Sequence, residues 1–263
     1  MTATVLILEG QSPQIVQAGR SYAASFVTAL MSLDPGLTIT AKNPNIHEIT
    51  AADFEGVDGI VFTGSGVAWN TSDPRGQAQV DAMRAAFKTG LPVWGSCNGF
   101  QLMGTVLGGT VGESPNGFEG GLAKNLHLTD EGKTHPMMAG RKDGDGVPCI
   151  HRDEVQKLPE GAVLLAGNAH SPIQAAVYEQ DGIDYWGTQY HPELTPADIA
   201  ASLTRRHPVE FAETIAEMTA LAEGGTPSDC DYSIELKNWL AHVNDKKIER
   251  FEVTHDLGVE MKG

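Results

Sequence analysis

Residues 91–104 read LPVWGSCNGFQLMG. The apolar run 91–94 has the length and composition of a buried strand, and residues 98–107 that of a helix. Cys97 lies at the joint, with Gly95 two residues before it and Gly99 two residues after. This is G-x-C-x-G, the form of a nucleophile elbow with sulfur in place of a serine oxygen. A tight strand-to-helix turn brings flanking backbone close together, so small residues are needed on both sides. It lifts the side chain out of the sheet toward a cleft. It also sets Cys97 at a helix N-terminus, where free N–H groups and the helix dipole favour a thiolate. The plain alternative is a buried structural thiol.

Outward from this elbow, apolar runs alternate with helical patterns. Strands are expected at 4–8, 37–40 and 59–62, the last running into the loop Thr63-Gly64-Ser65-Gly66. Helices are expected at 21–33, with Tyr22, Phe26, Ala29, Leu30 and Leu33 on one stripe, and at 76–89, with Val80, Met83, Ala86 and Phe87. Strand and helix in alternation imply an α/β fold: an open, mostly parallel central sheet with helices on both faces. Residues 108–188 differ. They are rich in glycine and β-branched residues, with strand-like runs at 163–165, 173–178 and 183–187, expected as mixed or antiparallel strands packed on the first sheet. Residues 141–146 (RKDGDG) read as a solvated loop. After Pro196 the pattern is helical again, at 209–223 and 234–243 with a link at 224–228. Residues 249–263 read as a surface tail, in which Phe251 and Val253 are available to add an edge strand.

Composition narrows the function. The chain has 263 residues, 41% hydrophobic and 20% charged, the profile of an ordinary globular protein. Its formal net charge is −16, which argues against nucleic acid or an anionic membrane as partner, because both need a basic face. No apolar run approaches a membrane span, and the N-terminus lacks the basic region of a signal peptide. The three cysteines, Cys97, Cys149 and Cys230, are odd in number and show no CxxC spacing. The expectation is no disulfide framework, no metal, and a reducing cytoplasm.

A cysteine nucleophile needs an imidazole, and often a carboxylate to orient it. Two of the nine histidines carry an acid two residues later: His151 with Asp153, and His191 with Glu193. On extended backbone, residues i and i+2 share a face, so either pair could form an imidazole–carboxylate couple. Pro192 holds His191 extended. His191 also follows a strand-like run, so it lies at the strand's C-terminal edge, where sites form in open α/β sheets.

The segment GSCNGFQLMGTVLGG, followed about ninety residues later by GTQYHPE, resembles the class I glutamine amidotransferases. That family has a cysteine in a G-x-C-x-G-x-Q elbow and a terminal H-P-E. Residues 151–178 look most like the branch containing the glutaminase domain of GMP synthase, and the resemblance runs from about Thr4 to Glu193. It implies a flavodoxin-like amidotransferase fold over residues 1–195; the helical pattern beyond makes 196–263 a C-terminal helical extension and tail, expected to pack on the same domain. It implies that Cys97 is the nucleophile, His191 the general base and acid, and Glu193 the group orienting His191. The H-x-D segment at His151 then supports the cleft. The implied oxyanion hole uses the N–H after the nucleophile, at Asn98, and one from the glycine loop at Gly64 and Ser65. Gln101 matches the glutamine of the elbow that helps position substrate. Glu119 matches an acidic residue beside the bound glutamine. The implied reaction is hydrolysis of a γ-glutamyl C–N bond through a Cys97 thioester, without a cofactor.

The sequence departs from the family at named places. The glycine loop, commonly G-G-P, reads TGSGVAWN, which puts Trp69 at the cleft mouth. Ser96 and Asn98 stand where larger or apolar residues are common, and are expected to alter substrate contacts. No G-x-x-x-x-G-K-[ST] phosphate loop is present. Two readings follow. One is a glutaminase that passes ammonia to a separate synthetase subunit; the other is a free-standing hydrolase of γ-glutamyl amides or peptides in amine catabolism. A non-catalytic regulatory relative is the reading of another class. The C-terminal helices offer a face for a homodimer or partner, or simply complete the core.

Overall fold

The computed structural model describes residues 2–67, 69–224 and 231–260, with side chains to residue 252. The first half follows the expected alternation. It runs β1 (Thr4–Leu8), α1 (Pro13–Gln17), α2 (Tyr22–Leu33), β2 (Thr38–Lys42), β3 (Gly59–Phe62), α3 (Gln77–Phe87), β4 (Pro92–Ser96) and α4 (Asn98–Val106). The second half runs β5 (Thr110–Glu113), β6 (Glu119–Ala123), β7 (His127–Leu128), α5 (Asp130–Thr134), β8 (Val147–His151), β9 (Asp153–Lys157), β10 (Val163–Gly167), β11 (Ala175–Tyr178) and β12 (Asp184–Thr188). It ends with α6 (Pro196–Arg206), α7 (Ala212–Gly224) and α8 (Ile234–Glu260).

Eight strands form one sheet in the order β2-β1-β3-β4-β12-β11-β10-β7. The first five strands of that order pair in parallel, and the last three add antiparallel. The later strands therefore extend the first sheet edge to edge and do not pack on its face. The pleat sorts β1 into two cores. Val5 and Ile7 face α2 and α8, with Phe26, Leu30, Trp239 and Val243; Leu6 and Leu8 face α3 and α4, with Met83, Phe87, Phe100 and Met103. Two short antiparallel ribbons, β5–β9 and β6–β8, stand outside the sheet. Strands β8 and β9 were not visible in the sequence, because VPCIH and DEVQK lack clean alternation. Helices α6 and α7 cover the β6–β8 ribbon through Leu203, Met218, Ile150 and Phe118.

The C-terminus corrects one expectation. Residues 249–260 are neither a surface tail nor an edge strand but the last turns of α8. From Ile234 to Leu257 the sequence holds no glycine or proline to stop a helix. Lys247 and Arg250 both reach Asp58, at 2.8 and 3.1 Å, and hold this part of the helix against the loop before β3. Cys230 and residues 225–228 of the expected link lie outside the described residues. No helix among the described residues is long and apolar enough to cross a membrane.

Candidate active site

The elbow is built as its glycines require. Cys97 joins β4 to α4 with φ +50° and ψ −103°, a conformation that costs a non-glycine residue roughly 1–3 kcal/mol. Neighbours hold it there: the Cys97 N–H donates to Thr188 O at 2.8 Å, and Cys97 O accepts from the Gln101 N–H at 2.9 Å. A β-carbon on Gly99 would collide with the carbonyl of Phe62, so no larger residue fits that side of the turn. The Cys97 sulfur is buried, 3.9 Å from the Ile150 carbonyl oxygen.

Strand β12 lies parallel to β4, with Gly187 opposite Gly95 and Thr188 opposite Ser96. The chain leaving β12 therefore emerges on the edge where Cys97 stands, and it carries His191 and Glu193. His191 Nδ1 and Glu193 Oε1 are 2.7 Å apart, both side chains almost wholly buried. His191 Nε2 has no hydrogen-bond partner among the described residues. The loop after β3 packs against both groups: a β-carbon on Gly64 would lie 2.9 Å from His191 Cε1 and 3.7 Å from Cys97 Cβ. Burial disfavours charge on His191, yet the Glu193 carboxylate and then the Cys97 sulfur outweigh it. They hold the imidazole pKa well above its ordinary value. Tyr22 stacks on His191, with ring centroids 5.9 Å apart.

Glu193 has a second support. The Ser96 hydroxyl donates to Glu193 Oε2 at 2.9 Å and accepts from Trp94 Nε1 at 2.9 Å. Ser96 is fully buried and turned away from the cleft, so the expectation that it alters substrate contacts is corrected. Strand alternation explains this: Trp94 and Ser96 share a face of β4, under the chain that carries Glu193.

The other histidine–acid pair does not form. The Asp153 carboxylate is taken by the guanidinium of Arg152, at 2.7 and 2.9 Å, and His151 Nδ1 meets only the Asp153 backbone oxygen. His151 Nε2 instead lies 2.7 Å from Glu119 Oε2, across the β6–β8 ribbon. Glu119 also accepts from Asn168 and Gln174, both at 2.8 Å, and sits buried behind His151. Burial would raise its pKa, but these donors, His151 first among them, hold the carboxyl below the usual range.

A cleft of about 270 Å³ opens over Cys97. Ser65, Gly66, Trp69, Asn98, Gln101, His151 and Arg206 are among the residues around it. Trp69 is held by the Arg75 guanidinium, 4.3 Å above its ring. Gln101 Nε2 donates to Asp153 O at 2.6 Å, tying α4 to β9. The Ser65 hydroxyl donates to Gly10 O at 2.8 Å, and the Gly66 N–H donates to Gln11 Oε1 at 2.8 Å, which fixes the glycine loop. A larger groove of about 690 Å³ lies beside Pro192–Thr195 and does not include Cys97.

Comparison with known proteins places the chain. The model of the class-I glutamine amidotransferase family matches residues 14–210. The chain belongs to this family. One relative, a gamma-glutamyl-L-1-hydroxyisopropylamide hydrolase of a Pseudomonas species, is 33% identical over 71% of this chain and 72% of its own length. GMP synthases of Leifsonia xyli and Lactococcus lactis are 32% and 29% identical over 56% and 77% of this chain. The matched parts are only 28% and 36% of those longer proteins. Among solved structures, a glutamine amidotransferase of Thermotoga maritima superposes with a TM-score of 0.68 at 17% identity, over 92% of this chain and 98% of its own. A glutamine amidotransferase of Methylobacillus flagellatus gives 0.59 at 19%, over 94% of each chain. These structures share the fold: a mostly parallel central sheet clad in helices.

Within this family fold, several residues at the site carried no signal in the sequence. Tyr22, Arg152 and Arg206 reach it from separate elements, and only the tertiary structure collects them. Glu119, His151 and His170 offer ligand atoms within 4.8 Å of one another, as do Glu179, Asp184 and His242. In each group, histidine–carboxylate hydrogen bonds of 2.7 Å account for the closeness.

Proposed function

We propose that this protein hydrolyses the γ-glutamyl C–N bond of a γ-glutamyl amide, with Cys97 as nucleophile, His191 as acid and base, and Glu193 as the orienting carboxylate. One observation carries this reading: a cysteine on a strained elbow stands beside a buried His191–Glu193 couple, with Gly64 packed against both. The Cys97 thiolate attacks the γ-carbonyl carbon, and charge moves onto its oxygen. The N–H groups of Asn98, at the start of α4, and of Ser65, after Gly64, are the donors we assign to that oxyanion. The Glu193 carboxylate and the Cys97 sulfur raise the His191 pKa against burial, which favours the proton-carrying imidazolium. The imidazolium gives its proton to the leaving nitrogen as the C–N bond breaks, leaving a γ-glutamyl thioester. Water then gives a proton to His191 and attacks the thioester carbon, and glutamate departs as the sulfur–carbon bond breaks.

Glu119 serves this site by holding His151 at the cleft wall, and Gln101 by fixing α4 against β9. The similarity to a gamma-glutamyl amide hydrolase over most of both chains favours an amide larger than glutamine. The similarity to GMP synthases favours a second reading, a glutaminase that delivers ammonia to a separate synthetase. Amine and ammonia release from L-glutamine, γ-glutamyl amines and γ-glutamyl peptides, with Cys97→Ser as blank, tests both. Turnover of an amide far above that of glutamine supports the first reading. Fast turnover of glutamine alone supports the second. If the rates were equal in the wild type and in Cys97→Ser, the nucleophile assignment would be wrong.

A further inference from the structure

The sequence has eight arginines. Five sit against an acidic side chain: Arg75 with Asp73, Arg84 with Asp81, Arg141 with Glu235, Arg152 with Asp153 and Arg250 with Asp58. Arg20, Arg205 and Arg206 have no acidic partner within ion-pair distance among the described residues, and all three line one cavity of about 530 Å³. In a chain with a net charge of −16, convergence of its three unpaired arginines on one cavity is a marked local reversal of sign.

The position of this cavity gives it meaning. The leaving nitrogen must take its proton from His191, so the leaving group extends on the His191 side of Cys97. Tyr22 stacks on His191 and also lines the arginine cavity, so the cavity adjoins the imidazole. Arg206 lines both this cavity and the Cys97 cleft, and its guanidinium lies against Gly66 of the glycine loop. Gln11, which holds Gly66, lines it too. Asp198 is the carboxylate in the lining, and it is occupied: Oδ2 accepts from the Thr195 N–H and hydroxyl at 2.9 and 2.7 Å. The nearby Glu9 carboxylate is buried and engaged by Ser21 and by the Ala23 N–H.

We propose that the arginine cavity binds the leaving amine and that this amine carries a carboxylate, so the preferred substrates are γ-glutamyl conjugates of amino acids. This rests on the γ-glutamyl reading above. Guanidinium forks bind carboxylates in bidentate fashion, and a charged hydrogen bond of this kind is worth roughly tenfold in affinity or more. The simpler role of Arg205 and Arg206 is to complement the dipole at the end of α6, which affects stability but not the choice of substrate.

The test compares kcat/KM for γ-glutamyl-β-alanine, the neutral γ-glutamyl-n-propylamide and the cationic γ-glutamyl-(3-aminopropyl)amide. The proteins are the wild type, Arg20→Gln/Arg205→Gln, Arg206→Gln and Cys97→Ser, with melting temperatures measured alongside. The expected wild-type result is a preference of about tenfold or more for the acidic over the neutral amide, weakening with salt. The preference should fall about tenfold or more in the arginine variants, with melting unchanged. Cys97-dependent turnover without that preference, or with a preference the arginine variants keep, overturns this inference and leaves the γ-glutamyl reading standing. No Cys97-dependent turnover of any of the three amides removes both.

Discussion

At the scale of single residues, the site contrasts two histidines with different surroundings. His191 is locked between Glu193 and Tyr22 over the thiol, whereas His151 is tied to Glu119 at the cleft wall. His191→Ala is therefore expected to lower turnover by roughly 10³-fold or more, as loss of an acid–base group does. His151→Ala should cost roughly 10–100-fold, because Glu119 keeps Asn168 and Gln174 as donors and the cleft is only loosened. Steady-state rates with melting curves distinguish these outcomes from misfolding. The ionisation of His191 is testable on its own. Its pKa is raised by Glu193 first and by Cys97 second, against burial. Removing the sulfur in Cys97→Ser should lower the His191 pKa while leaving it above about 6.5. Because the folded value lies above the unfolded one, the pair's contribution to stability is complete below about pH 6.5 and is lost as pH rises through the folded pKa. An NMR titration of the imidazole in both proteins measures this, and a higher value in Cys97→Ser would contradict the assigned neighbours.

At the scale of elements, the join between α8 and the sheet carries a buried charge. Arg141 grips Glu235 at the start of α8 with two hydrogen bonds of 2.8 Å, and the Tyr190 hydroxyl donates to the same carboxylate at 2.9 Å. Tyr190 lies one residue before His191, so this cluster sits directly beneath the chain that carries the imidazole. Arg141→Ala strands a buried carboxylate and is expected to destabilise the fold by about 3–5 kcal/mol. Arg141→Met combined with Glu235→Leu removes both charges and should recover most of that loss in urea titrations. A double variant no more stable than Arg141→Ala would mean that packing, and not the stranded charge, sets the cost.

At the scale of the whole molecule, α8 is part of the main core. Leu236, Trp239, Leu240 and Val243 are all nearly or fully buried against the sheet. At about 1.5–3 kcal/mol for each such side chain, they contribute roughly 6–12 kcal/mol. That is comparable with the whole net stability of an ordinary domain, about 5–15 kcal/mol. A chain ending at residue 233 is therefore expected to lose its cooperative thermal transition and to aggregate, by calorimetry and size-exclusion chromatography. A monodisperse, cooperatively melting product would show that α8 is an accessory.

Short-range features were legible in the sequence. Strands β1 and β3 match their expected bounds, α2 and α4 differ from expectation by one residue at one end, and the glycines around Cys97 announce the elbow. These depend on periodicity and sterics within windows of about ten residues, which the order of side chains encodes directly. The same local reading left His151 and His191 open, and the structure separates them through a competitor: Arg152 captures the Asp153 carboxylate, while among the described residues Glu193 pairs with His191 and with no lysine or arginine. Ser96 looked like a cleft residue until the pleat of β4 turned it toward Glu193. The C-terminal segment 249–260 looked like a tail until Asp58 anchored it as helix. Sequence alone thus determined the elbow and the alternation of layers. Tertiary structure decided which strands lie side by side, which carboxylate each histidine keeps and where the unpaired arginines meet, because those outcomes depend on competition between groups far apart in the chain.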